Sequence, residues 1–395
     1  MAKPDWGIEG GFEILLGRVV THLEASGHSV SLLSVPGAPP DHVIAGKEID
    51  DAEWADAPDV YSYESLLDRF SQVDASAFDL VITTQPASWA VEHPRKLAIF
   101  YHHHRVFYDL ADKFASINGV DREQYDEACQ RVWSFDRKYV PSISQFLAPS
   151  RTVADRLVNY WNVAPEIITQ FHAGPISGVT SRRGEAATDK RSTAHRSEIL
   201  CVSRNEFTKR TEMFVAAAHC GFGAPATLVG SGGQLGAVRR WAAEKAAGLD
   251  VAARPWERSG TQERVEVVVP SDPVNIVGRL SDDELLRRYE NAKCLVAPAY
   301  NEDYGLTALE AFTHGVPVVV CSDGGGLAEF VDDGVNGLVA EPEPEAIAAA
   351  VRSITASESL ADSLSAGALA TAAEFTWERA HSQLDDALAA TVNAS

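Results

Sequence analysis

The chain has 395 residues, with 34 Lys plus Arg against 56 Asp plus Glu, a formal net charge of −22. That length suits two domains, a hydrophobic content of 45% suits a soluble α/β protein, and the acidity argues against nucleic acid or anionic lipid as partners. The 5 cysteines are scattered and odd in number, so buried free thiols are expected rather than disulfides or a metal set, and no stretch reads as a membrane span or secretory leader. A cytoplasmic protein is expected.

Residues 1–9, MAKPDWGIE, contain Pro4, Asp5 and Gly7 and read poorly as a central strand. Gly10 and Gly11 follow, a pair that lets backbone approach a ligand or makes a tight turn. Phe12, Leu15, Leu16, Val19, Val20 and Leu23 recur at helical spacing, and Gly27 closes that predicted helix. Strands are predicted over 30–35, 78–83, 97–101, 143–148 and 167–172, and helices over 127–139 and 150–161. The proline- and acid-rich stretch 36–59 reads as a loop or mobile insert.

His102, His103, His104 and Arg105 follow the strand at 97–101. At a strand end His102 and His104 would share one side and His103 the other. One histidine facing substrate, with the others structural, is a more economical reading than a metal site. Arg105 and Asp109 have the spacing of a helical ion pair, or belong to an acceptor floor.

Residues 177–197 are rich in Gly, Ser and charge and predict a linker. A strand over 198–203 leads into SRNEFTKR, which sets Arg204 and Lys209 around a turn. Two fixed cations beyond a strand end suit a pyrophosphate; solvated surface residues are the plain alternative. Helices at 211–220 and 239–248 flank a strand at 226–230, and 255–267 is a polar excursion. A strand over 274–280 precedes a helix with Ser281 as N-cap and Leu285, Leu286 and Tyr289 inward. Further strands fall at 316–321 and 338–340, separated by Gly324, Gly325 and Gly326, and 345–390 is helical.

The most informative segment is 293–317, KCLVAPAYNEDYGLTALEAFTHGVP. An apolar strand ends at Pro298, and Leu306, Leu309, Ala311 and Phe312 give a helix with Gly315 as its C′ glycine. The N–H groups of Gly305, Leu306 and Thr307 would open toward the strand's carboxyl end, an anion-binding arrangement. Glu310, near the helix's second turn and eight residues after Glu302, would reach vicinal hydroxyls while those amides hold a phosphate. Alone, each acid reads as an ordinary surface glutamate.

Glu302 and Glu310, with NEDYGLTALEAFTHGVPVV, the triple glycine and Glu329 around them, resemble the donor-binding signature of retaining GT-B glycosyltransferases of family 4. The chain departs in having Tyr304 where the family usually has Phe, and Arg210 where Gly usually follows the Arg-and-Lys pair. GGFEILLGRVVTHLEASGHSV also resembles the family's first helix, which places Gly11 near donor phosphates or the transferred sugar. The family's full strand before those glycines is here either very short or missing. A histidine after the strand at 97–101 faces the sugar in the family, which falls on His102, then on His103.

The resemblance implies two Rossmann-like domains facing each other across a cleft. They would span 1–180, for the acceptor, and 198–370, for the donor, with a linker at 181–197 and a closing helix in 371–395 that returns to the first domain. The implied reaction moves a sugar from a nucleoside diphosphate sugar to an acceptor hydroxyl with retention; no Asp-x-Asp motif lies in a plausible donor loop, so a metal-independent reaction is expected. The acceptor would be a small-molecule metabolite or oligosaccharide intermediate. His102, Glu302, Arg204 and Lys209 take catalytic roles; Gly11, Tyr304, Gly305, Leu306, Thr307 and Glu310 join Arg204, Lys209 and Glu302 in binding the donor. An epimerase or phosphorylase of the same architecture, or a noncatalytic nucleotide-sugar-binding protein, are the alternatives.

Overall fold

A computed structural model describes residues 1–7, 10–175, 193–249 and 273–394. Contacts divide the chain into two units, Met1–His172 with Glu378–Ser395, and Ala173–Trp377. Most of the predicted linker, and the excursion at 255–267, lie outside the described residues.

The first unit begins with β1 (Ala2–Asp5), α1 (Gly11–Ala25) and β2 (Leu33–Pro36), followed by the hairpin β3 (Val43–Ile44) and β4 (Lys47–Glu48). Helices α2 (Asp51–Asp56) and α3 (Pro58–Ser71) precede β5 (Val81–Thr83) and β6 (Lys96–Ile99). Then come α4 (Ala111–Asn118), α5 (Arg122–Tyr139), β7 (Gln145–Ala148), α6 (Arg151–Trp161) and β8 (Ile168–Gln170). Six strands form a parallel sheet in the order β2-β1-β5-β6-β7-β8. Both faces are covered, and Phe70, Trp89, Phe100 and Phe146 fill the core.

Of the two alternatives for the first strand, the short one holds: β1 pairs with β2 along its whole length and with β5 only through Ala2 and Thr83. Pro4 is tolerated because the β5 ladder has already ended where its missing N–H would count. The expectation of a loop or mobile insert over 36–59 is corrected: Ile44, Ile49 and Trp54 are buried together with Tyr61 of α3, and this apolar cluster orders the segment.

The second unit runs β9 (Glu198–Val202), α7 (Thr211–His219), β10 (Ala226–Val229), α8 (Leu235–Ala246) and β11 (Val274–Gly278). It continues with α9 (Asp282–Asn291), β12 (Ala292–Ala297), α10 (Leu306–Thr313), β13 (Val318–Cys321), β14 (Gly337–Ala340), α11 (Pro344–Ala356) and α12 (Glu358–Ala372). Its strands form a parallel sheet in the order β11-β10-β9-β12-β13-β14. That is the doubly wound order, whose sense reverses between β9 and β12, the place where such sheets bind ligands beyond their carboxyl ends. Cys201, Cys294 and Cys321 are buried free thiols on β9, β12 and β13, while Cys220 is exposed.

The last helix, α13 (Trp377–Asn393), packs with the first unit after its first residue. His381 stacks on His22 at 3.9 Å, Asp385 Oδ1 lies 2.9 Å from His22 Nε2, and Gln383 accepts the His172 N–H at 2.9 Å. Trp377 itself donates its indole N–H to Pro175 O at 3.0 Å, a structural role.

Candidate active site at the exits of β9 and β12

β12 leaves the sheet at Pro298 and reaches α10 through Asn301, Glu302 and Gly305. This loop is held by the one after β13: Asn301 N–H donates to Asp323 O at 2.8 Å, Glu302 N–H to Gly324 O at 2.9 Å, and Gly326 N–H to Glu302 O at 2.8 Å. The approach is close enough to require glycine. Gly325 has φ +62°, and a Cβ there would lie 2.7 Å from Asn301 C. The triple glycine is thus a backbone-packing device.

Gly305, at φ +132°, enters α10 without a capping side chain, and a Cβ would lie 2.8 Å from Leu327 Cδ1. The helix's own ladder starts with Ala308 and Leu309 N–H donating to Gly305 O. The amides of Gly305, Leu306 and Thr307 lie ahead of it, where the helix dipole is positive. At the other end Gly315, at φ +61°, and Val316 donate to Phe312 O and Ala311 O at 2.9 Å each, a Schellman closure. α10 is therefore short, fixed at its carboxyl end and open at its amino end.

Tyr304 is buried, its hydroxyl donating to Ala173 O at 2.6 Å and its ring edge-on to Phe330 at 4.9 Å. That side chain is committed to packing and to this hydrogen bond within the fold. Glu310 is only 8% exposed and accepts from Tyr289 Oη at 3.2 Å. Burial, then the Glu310 carboxylate, push the Tyr289 phenol well above its ordinary range and keep it a donor. The Tyr289 ring stacks on His314 at 5.4 Å. Glu310 is thus a fixed, buried acid rather than a solvated helix-surface one. The helix carrying Tyr289 starts at Ser281, whose N–H and Oγ both donate to Glu284 Oε2, at 3.0 and 2.6 Å.

The turn after β9 comes to the same place. Lys209 Nζ donates to Glu302 Oε2, Tyr300 N–H donates to Thr208 O at 2.7 Å, and Arg204 is exposed on that turn. The structure thus joins Lys209 to Glu302 in the loop that leads into α10, the helix that carries the buried Glu310. Arg210, Asp323 and Tyr289 complete the arrangement. Sequence reasoning set Tyr289 inward without linking it to Glu310. It noted Arg210 only as a departure, and gave Asp323 no role.

In the first unit, Gly10 and Gly11 open α1 beyond β1, and the Gly10 N–H donates to Glu13 Oε2 at 3.0 Å. The three histidines lie past the end of β6, so strand alternation does not sort them. His103 is fully buried, its ring stacked on Tyr108 at 4.1 Å. His104 meets Tyr63 and Phe107 edge-on, and burial, then His102, lower its pKa to about 4. His102 is half-buried with Nδ1 2.9 Å from His103 O, so Nδ1 carries a proton and Nε2 is the acceptor of the neutral ring. Arg105 makes a forked ion pair with Asp109, 2.6 Å at its shortest, and Arg156 lies 3.4 Å from the same carboxylate. That favours the ion-pair reading of Arg105 and Asp109.

Beneath the histidines, the fully buried Asp136 accepts from Tyr63 Oη and Tyr108 Oη at 2.6 Å each and from Trp89 Nε1 at 2.8 Å. Burial raises its pKa to about 6, against these three donors, which lower it. Among the described residues no three His, Cys, Asp or Glu gather to hold a metal ion, and no helix is long and apolar enough to cross a membrane.

Residues 256–370 match the model of the family described as glycosyl transferases group 1. A D-inositol 3-phosphate glycosyltransferase of Nocardioides sp. is 39% identical over 114 residues, 29% of this chain and 25% of that protein. The chain thus aligns with about a quarter of that relative's length. Sucrose-phosphate synthase from Thermosynechococcus elongatus superposes with a TM-score of 0.62 at 19% identity, covering 95% of this chain and 92% of that one. HepE of Anabaena, in its complex with UDP-glucose, gives a TM-score of 0.62 at 16% identity over 98% of both chains. The chain accordingly has the GT-B fold, and its residues 256–370 are similar to the glycosyl transferases group 1.

Proposed function

We propose that this chain is a retaining glycosyltransferase of family 4, which moves a sugar from a nucleoside diphosphate sugar to an acceptor hydroxyl. The observation that carries the reading is the meeting of Lys209, Glu302 and the open amino end of α10 at the switch point between β9 and β12. Likeness to a UDP-glucose complex and to named glycosyltransferases supports the donor class.

The difficult event is departure of the diphosphate from an oxocarbenium-like sugar. Negative charge grows on the phosphate as the anomeric C–O bond lengthens, and donors already in place stabilise it. The Lys209 ammonium has three N–H donors; one meets Glu302, and the others serve diphosphate oxygens. Arg204 and the amides of Gly305, Leu306 and Thr307 add to this field. Glu310 takes the ribose hydroxyls, and Glu302 those of the transferred sugar. The acceptor oxygen bonds to the anomeric carbon on the face the diphosphate leaves, and its proton passes to that phosphate.

Gly11 and His102, at the carboxyl ends of β1 and β6, are the first unit's candidates for substrate contact. Lys209, Arg204 and the α10 amides supply the charge a divalent ion would bring, so the reaction proposed is metal-independent. The acceptor class proposed is a small-molecule metabolite or an oligosaccharide intermediate, and the place of reaction the cytoplasm.

Calorimetry against UDP, GDP and ADP sugars, followed by mass detection of products with candidate acceptors, tests the reading. One nucleotide sugar should bind and be consumed only with an acceptor. Saturating titrations in which folded protein binds none would refute it.

A further inference from the structure

Arg210 stands where the backbone favours glycine. It follows the turn bearing Lys209, has φ +47°, and is nevertheless 5% exposed. A left-handed conformation is costly for a residue with a side chain, so something must hold it. What holds it is a set of four hydrogen bonds from the guanidinium. Nε donates to Pro298 O at 2.6 Å, and one terminal nitrogen donates to Ala299 O at 3.1 Å and Asp323 Oδ1 at 2.5 Å. The other donates to Asp323 Oδ2 at 2.9 Å.

Those partners belong to two different loops. Pro298 and Ala299 begin the segment that delivers Glu302, and Asp323 begins the triple-glycine segment against which Glu302 pairs. Arg210 itself closes the turn of Lys209. One planar fork therefore joins the exits of β9, β12 and β13. Two of its acceptors are carbonyls that the sheet no longer uses, and the third is a carboxylate matched in both charge and shape. Lysine could supply the charge, but not four bonds in a plane.

We propose that Arg210 is the positioning residue of the donor site: through Asp323 and the Pro298 and Ala299 carbonyls it sets where Glu302 stands relative to Lys209. The inference rests on the donor-site reading above and touches no substrate itself.

Arg210→Gly is the informative variant, because glycine keeps the left-handed backbone without strain while removing the guanidinium. Arg210→Lys tests charge without the fork. Amide hydrogen exchange is read at Asn301, Glu302 and Gly326, whose N–H groups cross between the two loops. Exchange there should accelerate at least about tenfold in Arg210→Gly, with the β12 and β13 strands unchanged. Binding of UDP, GDP or ADP, whichever the wild type takes, should weaken about tenfold. Low-millimolar guanidinium should recover part of both effects, and Arg210→Lys should fall between wild type and glycine.

Unchanged exchange at the three amides overturns the bracing. Faster exchange with undiminished nucleotide binding overturns the positioning role. Wild-type protein that binds none of the three nucleotides refutes the donor-site reading instead, and the exchange result then judges the brace alone.

Discussion

Lys209 Nζ donates to Glu302 Oε2, so a cation and an acid 93 residues apart in sequence share one hydrogen bond at the switch point of the second sheet. Both side chains are mostly but not fully buried, which screens the pair from water without closing it off. Each then restricts the other, and the ammonium keeps donors for an anion. Lys209→Ala and Glu302→Gln should each lower kcat/KM by about a hundredfold. Their double variant should lose clearly less than the product of the two, because a pair acting as one unit is not additive. Steady-state kinetics on the cycle checks this; strictly multiplicative losses would mean that the contact has no part in turnover.

The buried Glu310 carboxylate accepts from the Tyr289 hydroxyl at 3.2 Å. Tyr289→Phe leaves the ring stack on His314 and removes only the hydroxyl. Donor KM should rise by roughly threefold to tenfold with kcat little changed, and Glu310→Gln should show a larger effect of the same kind. Melting curves should stay close to wild type for both. A drop in kcat at constant KM would contradict the anchoring role.

The loop contact at Gly325 separates crowding from backbone strain. Gly325→Ala places a Cβ 2.7 Å from Asn301 C at φ +62°, whereas Gly334→Ala, at φ +75°, meets nothing within 4 Å. The second change should cost about 1 kcal/mol, from the left-handed backbone alone. The first should cost about 2–4 kcal/mol and also disturb the Glu302 loop. Urea unfolding of the two variants measures the difference, and equal costs would show that the loops have room to part.

Asp136 gives the first unit a pH dependence of definite sign. Its carboxyl is raised by burial from 3.8 to about 6, so the folded state holds the proton more tightly than the unfolded chain. The stability this adds is fully present below the unfolded pKa and is lost as pH rises through the folded one. The stability of wild type relative to Asp136→Asn should therefore fall by about 3 kcal/mol between pH 4 and pH 6 and be flat above. A difference that grows with pH would show that the Tyr63, Tyr108 and Trp89 donors outweigh burial.

Turnover should survive chelation. Treatment with EDTA is expected to leave the rate unchanged to within about twofold, since in the proposed reaction Lys209, Arg204 and helix amides would carry the charge. A loss restored by added magnesium would assign that work to an ion.

How far the sequence reveals these arrangements depends on how local the physics is. β12, the turn and α10 were legible because an apolar run, a glycine and a helical period lie within one short segment, and Glu302 and Glu310 fall inside it. The pairing of Lys209 with Glu302 has no local signal, since it arises only when β9 and β12 become neighbours. α3 escaped a period reading because its buried face includes Tyr61, Tyr63 and Ser65 beside Leu66, Leu67 and Phe70. β1 escaped because Pro4 and Asp5 argue against a central strand, and only the short pairing with β5 shows why they are allowed. A left-handed arginine cannot be anticipated from its own identity, for its stability comes from carbonyls and a carboxylate about 90 to 110 residues away.

The helix after Glu378 packs with Met1–His172 although the whole second unit is made in between. A ribosome therefore releases the first sheet with one side of its helical cover still unsynthesised, and must translate the entire second unit before that cover arrives. During that interval His22 lacks the His381 ring and the Asp385 carboxylate that meet it in the finished fold.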